Sequence, residues 1–312
     1  MTVRSSVNNS YSHTSLFDVQ TNALVRNVST IPENSMVLDS KDGLVFASDA
    51  NGLVNDGWVN VYNSTTLTLL KKIQVGIEPS SPIYDNDTGM IYVGTYGFRG
   101  SATIATQDIQ AINPATLSVA KNISTGYFLR YLAYSPATHF IYAGDDGSLC
   151  GFCTLSNTTI VNPVTGRVVT VIPNLFGQMT YSPQSKDIYL LNYSETGPVQ
   201  QLVVLNTSNS IAESYPLSNN PKVSFNTLVA LTSQPYVFIS SATTNETGAP
   251  ISSAVSVFNT ETNSISETIT LPDGSLFLSQ AFANDFLYVS ADTTPLATFQ
   301  ANGAVFVYKI AG

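Results

Sequence analysis

One short segment recurs six times along this 312-residue chain, and its spacing limits the fold more than any other feature. It reads LVFASD at 44–49, IYVGTYG at 91–97, IYAGDDG at 141–147, IYLLNYS at 188–194, YVFISSA at 236–242 and FLYVSAD at 286–292. Aligning the shared aromatic gives Phe46, Tyr92, Tyr142, Tyr189, Phe238 and Tyr288, at intervals of 46, 50, 47, 49 and 50 residues. A regular period of this size marks stacked copies of one supersecondary unit, each unable to bury its apolar face alone.

Around every aromatic segment the same order returns. An apolar stretch and a polar turn precede it; a variable loop, an alternating strand, a tight turn and a last strand follow. The second unit shows this as SSPIYD, NDTG, MIYVGTYG, FRGSATIATQ, DIQAIN, PAT and LSVAKNIS. These strands alternate with period two, are rich in β-branched and aromatic residues, and are separated by Gly, Asn, Asp and Pro. No stretch of ten or more residues carries a convincing 3.6-residue period. Four short antiparallel strands repeated about every 48 residues predict an all-β chain forming a single β-propeller of four-stranded blades over residues 1–312.

The turn between the last two strands of each unit is the best-kept local feature: Asn63-Ser64-Thr65, Asn113-Pro114-Ala115-Thr116, Asn162-Pro163-Val164-Thr165-Gly166, Asn206-Thr207-Ser208 and Asn259-Thr260-Glu261-Thr262. Asn there folds its side chain onto the following backbone as an Asx-turn. SLFDVQTNALVRNVS repeats this pattern with Asp18 at the turn, so the chain enters partway through a unit. The expected units are 30–76, 77–126, 127–175, 176–220, 221–272, and 273–312 completed by 15–29. That makes six blades, with seven as the alternative. The ring is expected to close by an N-terminal strand pairing with the C-terminal blade, which leaves no open seam. The first residues are then surplus, and a strand there is a candidate for pairing with a neighbouring subunit.

IYVGTYG, followed about twenty residues later by AINPATLSVAKNISTG, resembles the YVTN-type β-propeller repeat of archaeal and bacterial surface-layer and secreted proteins. IYAGDDG with IVNPVTGRVVTVI, and LVFASD with VNVYNSTTLTLLKKIQVG, extend the likeness over almost the whole chain. The resemblance implies a propeller fold, usually of seven blades, in a surface or secreted setting. The Gly/His and Trp-Asp signatures of WD40 blades are absent.

Composition narrows the partners. Twelve Lys and Arg against 21 Asp and Glu, with no basic run, argue against a nucleic-acid footprint or a polybasic membrane patch. Apolar runs are short and interrupted, so no membrane span is expected in this chain. The start, MTVRSSVNNS, carries no apolar signal-peptide core. Ser and Thr total 71 residues and Asn 26, so neutral polar groups provide the hydration that Lys and Glu usually give. Such a surface keeps its hydration at low pH, and an extracellular or cell-surface location in an acidic setting is the expectation.

Candidate chemistry is sparse. Cys150 and Cys153 form a CGFC loop after the third aromatic strand. A local disulfide suits an oxidising exterior; a redox pair lacks a helix to lower its thiolate pKa, and a zinc half-site lacks partners. His139, in SPATHF, reads as a turn residue rather than a general base, and His13 is the only other histidine. No GxSxG, HExxH, Walker or GxGxxG motif occurs. Asp85-Asn86-Asp87-Thr88-Gly89, Asp145-Asp146-Gly147 and the group Asp49, Asn51, Asn55, Asp56 read as turn chemistry, with structural calcium as the alternative. No cofactor is implied. Nine Asn-x-Ser/Thr sequons, at Asn8, Asn27, Asn63, Asn86, Asn122, Asn157, Asn192, Asn206 and Asn245, are glycosylation candidates. Trp58, Tyr96, Phe98 and Tyr127 lie in or beside expected loops and are the candidate contact surface.

Together these features favour a non-enzymatic extracellular protein, either a structural subunit of a surface layer or filament or an adhesin. Its expected partners are copies of itself joined through the N-terminal strand, glycans, or other surface proteins. The alternative is a propeller binding module for carbohydrate or peptide. A metal-assisted hydrolase such as a lactonase would need carboxylates converging from several blades, and no repeated carboxylate of that kind is present.

Overall fold

The computed structural model describes residues 2–7, 11–18, 20–21, 23–30, 33–49, 57–96, 108–125, 129–145, 156–193, 200–220, 222–246, 250–272, 276–283, 286–292 and 303–309. They form 26 strands in seven antiparallel meander sheets, each strand pairing with its neighbour in sequence. The chain divides into two compact units, 31–177 with 206–210, and 1–30 with 178–205 and 211–312.

The 31–177 unit holds three four-stranded sheets. The first comprises β4 (Glu33–Asp39), β5 (Leu44–Asp49), β6 (Gly57–Asn63) and β7 (Leu69–Val75). The second comprises β8 (Ile83–Asp85), β9 (Met90–Gly94), β10 (Asp108–Asn113) and β11 (Ser118–Ser124). The third comprises β12 (Leu129–Ser135), β13 (Phe140–Asp145), β14 (Asn157–Asn162) and β15 (Arg167–Pro173). Phe46, Val59 and Val61 pack with Ile91, Val93 and Ile112 between the first two. Tyr92, Ile109 and Ala111 pack with Leu129, Leu132 and Ile141 between the second and third. The strand alternation of the β8–β11 sheet therefore serves two interfaces, one on each face.

The other unit repeats the plan. β16 (Met179–Tyr181), β17 (Ile188–Asn192), β18 (Gln201–Leu205) and β19 (Ile211–Pro216) form one sheet, and β20 (Val223–Ala230), β21 (Tyr236–Thr244), β22 (Pro250–Asn259) and β23 (Ser264–Thr270) the next. Two sheets have three strands: β24 (Leu276–Ala283), β25 (Phe286–Asp292) and β26 (Gly303–Lys309), and at the chain start β1 (Thr2–Val7), β2 (Tyr11–Phe17) and β3 (Leu24–Thr30). Tyr189, Leu191 and Leu202 meet Phe225, Leu228 and Val237 between adjacent sheets. Phe238, Val255 and Val257 likewise meet Leu287 and Val289.

All six recurring aromatics lie on the second strand of a sheet, and none is more than 2% exposed. Among the described residues, six last-hairpin turns are Asx-turns. Asn63 Oδ1 accepts from the amides of Thr65 and Thr66, Asn113 from Ala115, Asn162 from Thr165, Asn206 from Ser208 and Ser210, Asn259 from Glu261 and Thr262, and Asp18 from Gln20 and Thr21. Each of the five Asn turns then passes through a positive φ, at Leu67, Leu117, Gly166, Asn209 and Asn263. For Leu67 that strain is held by an amide bond to Asn63 O at 2.9 Å and by a side chain only 4% exposed.

Two expectations change here. Residues 15–29 were expected to complete the C-terminal blade, but β2 pairs with β1 on one side and β3 on the other in a sheet of their own. Among the described residues β26 pairs with β25 alone, so the expected closing ladder is not among the pairings. The described residues at the chain start form a three-stranded sheet. Counting aromatics missed this sheet because β1, TVRSSV, contains none. Trp58, expected in a long loop, lies in β6 opposite Gln74 and is half-buried. The strand can start so early because Gly57 has no side chain: a Cβ there would sit 1.8 Å from the Gly76 carbonyl oxygen.

Replacing Phe46 by Ala should cost about 3–5 kcal/mol, as expected for a fully buried ring. Leu69→Ala, at a site 44% exposed on β7, should stay within about 0.5 kcal/mol of wild type. Urea unfolding of the two variants checks both values.

Candidate functional site

The densest meeting of chemically active side chains among the described residues is built from two consecutive hairpin turns. In the β8–β9 turn, Asp85 is fully buried; its Oδ1 accepts from the amides of Asp87 (2.8 Å) and Thr88 (3.3 Å), and its Oδ2 accepts from the Thr88 hydroxyl (2.7 Å). Gly89 closes the turn at φ +66°, donating its amide to Asp85 O at 2.8 Å. Both carboxylate oxygens of Asp85 are thus occupied by its own turn, and Asp87 is left facing outward.

The β12–β13 turn has the same build with different residues. Ser135 Oγ accepts from the Thr138 amide at 3.3 Å, and the His139 amide donates to Ser135 O at 2.8 Å. His139 occupies the slot that Gly89 fills one repeat earlier, at φ +58°. This places its Nδ1 2.5 Å from Asp87 Oδ2. The Tyr134 hydroxyl, at the end of β12, donates to the same oxygen.

The electrostatics follow from this sharing. Asp87 is held below its ordinary value of 3.8, first by the Tyr134 hydroxyl and then by His139. Tyr134 is pushed well above the ordinary phenol value, mainly by burial and then by its bond to Asp87, with the charges of Asp85 and Asp87 adding to the effect. The phenol therefore stays protonated and donates. One carboxylate oxygen receives both groups, and the arrangement joins the β8–β11 sheet to the β12–β15 sheet through exposed turns. The pairing carries no nucleophile of its own.

Sequence reading placed His139 correctly in a turn but missed its partner 52 residues away. The available signal was positional: a histidine stands where the first two units have Gly43 and Gly89, a slot that requires positive φ. Among the described residues no three His, Cys, Asp or Glu side chains converge as a metal site. Asp145 Oδ1 accepts from the Asn157 amide at 2.9 Å, and Asp49 is buried at the end of β5. Asn51, Asn55, Asp56, Asp146 and Gly147 lie outside the described residues, as do Cys150, Cys153, Phe98, Tyr127 and Asn8.

The remaining predicted positions are distributed rather than gathered. Asn86, Asn122 and Asn245 are exposed; Asn63, Asn157, Asn192 and Asn206 are half-buried; Asn27 lies in β3. Tyr96 is half-buried just after the isolated bridge between Pro79 and Thr95, its amide donating to Glu78 O at 3.1 Å. Trp58 and Tyr96 are therefore strand and strand-end residues.

No family model matches the chain, and no curated protein matches it. Solved structures do. The chain is similar to a structure titled Kuenenia stuttgartiensis hydrazine synthase, at 14% identity over 99% of this chain and 97% of that one, with a TM-score of 0.70. It is similar to KlAtg21 in complex with the coiled-coil of AgAtg16, at 10% identity over 99% and 95%, with a TM-score of 0.63. It is also similar to the dihydro-heme d1 dehydrogenase NirN in complex with DHE, at 13% identity over 99% and 70%, with a TM-score of 0.58. At these identities the likeness concerns the fold alone: an all-β chain of antiparallel sheets, consistent with a propeller.

If Asp87 ties the two turns, Asp87→Asn should lower stability at pH 7 by about 0.5 kcal/mol, the scale of an exposed pair. Because the folded pKa is depressed, this contribution is complete above 3.8 and fades as pH falls through the lower folded value. The gap between wild-type and variant Tm should therefore close in strong acid. His139→Gly leaves the Tyr134 bond to Asp87 in place and relieves the positive φ of the histidine, so its loss at pH 7 should be smaller than that of Asp87→Asn; a double-mutant cycle of the two gives the coupling.

Proposed function

We propose that this protein is a non-enzymatic extracellular or cell-surface β-propeller of the YVTN type, acting as a structural subunit of a layer or filament or as an adhesin. The observation that supports this most is the use made of Asp87, Tyr134 and His139. The convergence of acid, phenol and imidazole is spent on holding two hairpin turns together. The outer surface fits the same reading. Fourth strands such as β11 (SVAKNIS) and β23 (SISETIT) expose Ser and Thr, and exposed sequons at Asn86, Asn122 and Asn245 offer positions for glycans.

In this proposal the seven sheets are blades of a single ring, seven rather than six. Closure runs between the first and last sheets, supported by the approach of β1 to β25. The edge of β1 that β2 does not use is the proposed route by which the N-terminal strand engages a neighbouring subunit. Cys150 and Cys153 are proposed to form a local disulfide in the oxidising exterior. No helix among the described residues is long and apolar enough to cross a membrane. Two of the structural neighbours carry enzyme titles, and a binding or hydrolytic role on this fold is the competing reading.

Electron microscopy of the protein recovered from its native source tests the proposal. Ordered filaments or lattices containing this chain, with glycopeptides at Asn86, Asn122 or Asn245, are the expected result. Isolated, unmodified particles that turn over or release a small ligand would contradict it.

A further inference from the structure

The outer strands share a protective device that one of them lacks. In six sheets the last hairpin slips by one residue, leaving Val25, Leu70, Ala120, Val169, Ala212 and Ser266 as the extra residues. The residue that follows the slip is Arg26, Lys71, Lys121, Thr170, Glu213 and Glu267, facing Leu16, Val61, Ala111, Ile160, Val204 and Val257 respectively. Five of these six equivalent positions carry a charge, and β15 carries Thr170.

Bulges and charges are two ways in which an edge strand is kept from pairing with another chain. A charge near the middle of the strand acts most directly against a second copy. When two identical edges meet antiparallel about a twofold axis, a residue on the axis faces itself, and like charges directly opposite are destabilising. Glu267 stands at the centre of β23 and would face itself in this way, while Lys121, at the centre of β11, is turned toward the next sheet, its Nζ donating to Pro163 O at 3.3 Å and Val164 O at 2.9 Å. Thr170 stands at the centre of β15, Arg167–Pro173, and carries no such penalty.

The surface around Thr170 carries a run of exposed valines, with its one strand charge, Arg167, at the start of β15 rather than at its centre. Val168, Val169 and Val171 are 43%, 46% and 48% exposed, and Val164, in the turn leading into the strand, is 71% exposed. Elsewhere exposed apolar residues on outer strands sit beside the charge, as Leu24 and Val25 do beside Arg26, and Leu69 and Leu70 beside Lys71. Among the described residues β15 pairs with β14 only.

We propose that the open edge of β15 docks a second copy of this chain, the two β15 strands running antiparallel about a twofold axis at Thr170. In this register Arg167 of each copy comes against Pro173 of the other, so no like charges are opposed. The slip at Val169 keeps the shared ladder short, and burial of the valines supplies much of the association. The contact is independent of whether the protein serves in a layer, as an adhesin or as a binding module.

Sedimentation of the full chain over a dilution series tests this, using wild type, Thr170→Lys and Thr170→Glu. The wild type should show a monomer–dimer equilibrium. Each variant should weaken dimerisation roughly tenfold or more, since like charges now face each other across the axis, with an unchanged unfolding midpoint. Mixing the two variants in equal amounts should restore the dimer, because Lys then faces Glu. A wild type that stays monomeric, as it would if the edge served a different protein, overturns the proposal. So do variants that dimerise like wild type, and a mixture that stays monomeric.

Discussion

The structure depends on one geometric fact: a four-stranded sheet cannot cover either of its own faces. Second strands therefore bury aromatic or aliphatic sets against a neighbouring sheet of their own unit, as Phe46 does toward Ile91 and Val93, and Phe238 toward Leu287 and Val289. Close packing at these faces is what makes each compact unit a set of packed sheets rather than separate hairpins. Because the units are equivalent, the same residue types recur at the same register positions, and the period near 48 residues is the linear trace of that packing.

Once the faces are buried, the chemistry that remains lies in turns and on edges. The turns spend their polar groups internally: Asn63, Asn206 and Asn259 bind their own backbone, Asp85 binds Asp87 and Thr88, and Asp87 reaches across to Tyr134 and His139. The edges meet a different demand, solubility without association, through a repeated bulge followed by a charge. On this view function sits at the periphery, where a single repeat can depart from the pattern without disturbing the core. β15 is such a departure.

Much of this was legible in the sequence. The six aromatics, the all-β class and every Asx-turn at Asn63, Asn113, Asn162, Asn206, Asn259 and Asp18 were readable because each depends on a local pattern repeated many times. What escaped reading was whatever broke the pattern or joined distant repeats. The first sheet was missed because TVRSSV lacks the aromatic that marked the others. Trp58 was misplaced because the strand start is set by the approach of Gly57 to Gly76, a contact that spacing does not reveal. The Asp87–His139 pair joins residues 52 apart, and only the histidine in a glycine slot hinted at it. The bulge that aligns Arg26, Lys71, Lys121, Thr170, Glu213 and Glu267 became visible only with the strand registers in hand.

The central claim is that stability resides in the faces between sheets and falls toward the outer edges. Native-state hydrogen exchange resolved by residue tests it most directly. The account predicts the slowest exchange in the second and third strands, at Phe46, Tyr92, Tyr142, Tyr189 and Phe238 and their ladder partners, with β7, β11, β19 and β23 opening first. Uniform protection across each sheet, or outer strands that outlast the aromatic ones, would contradict it.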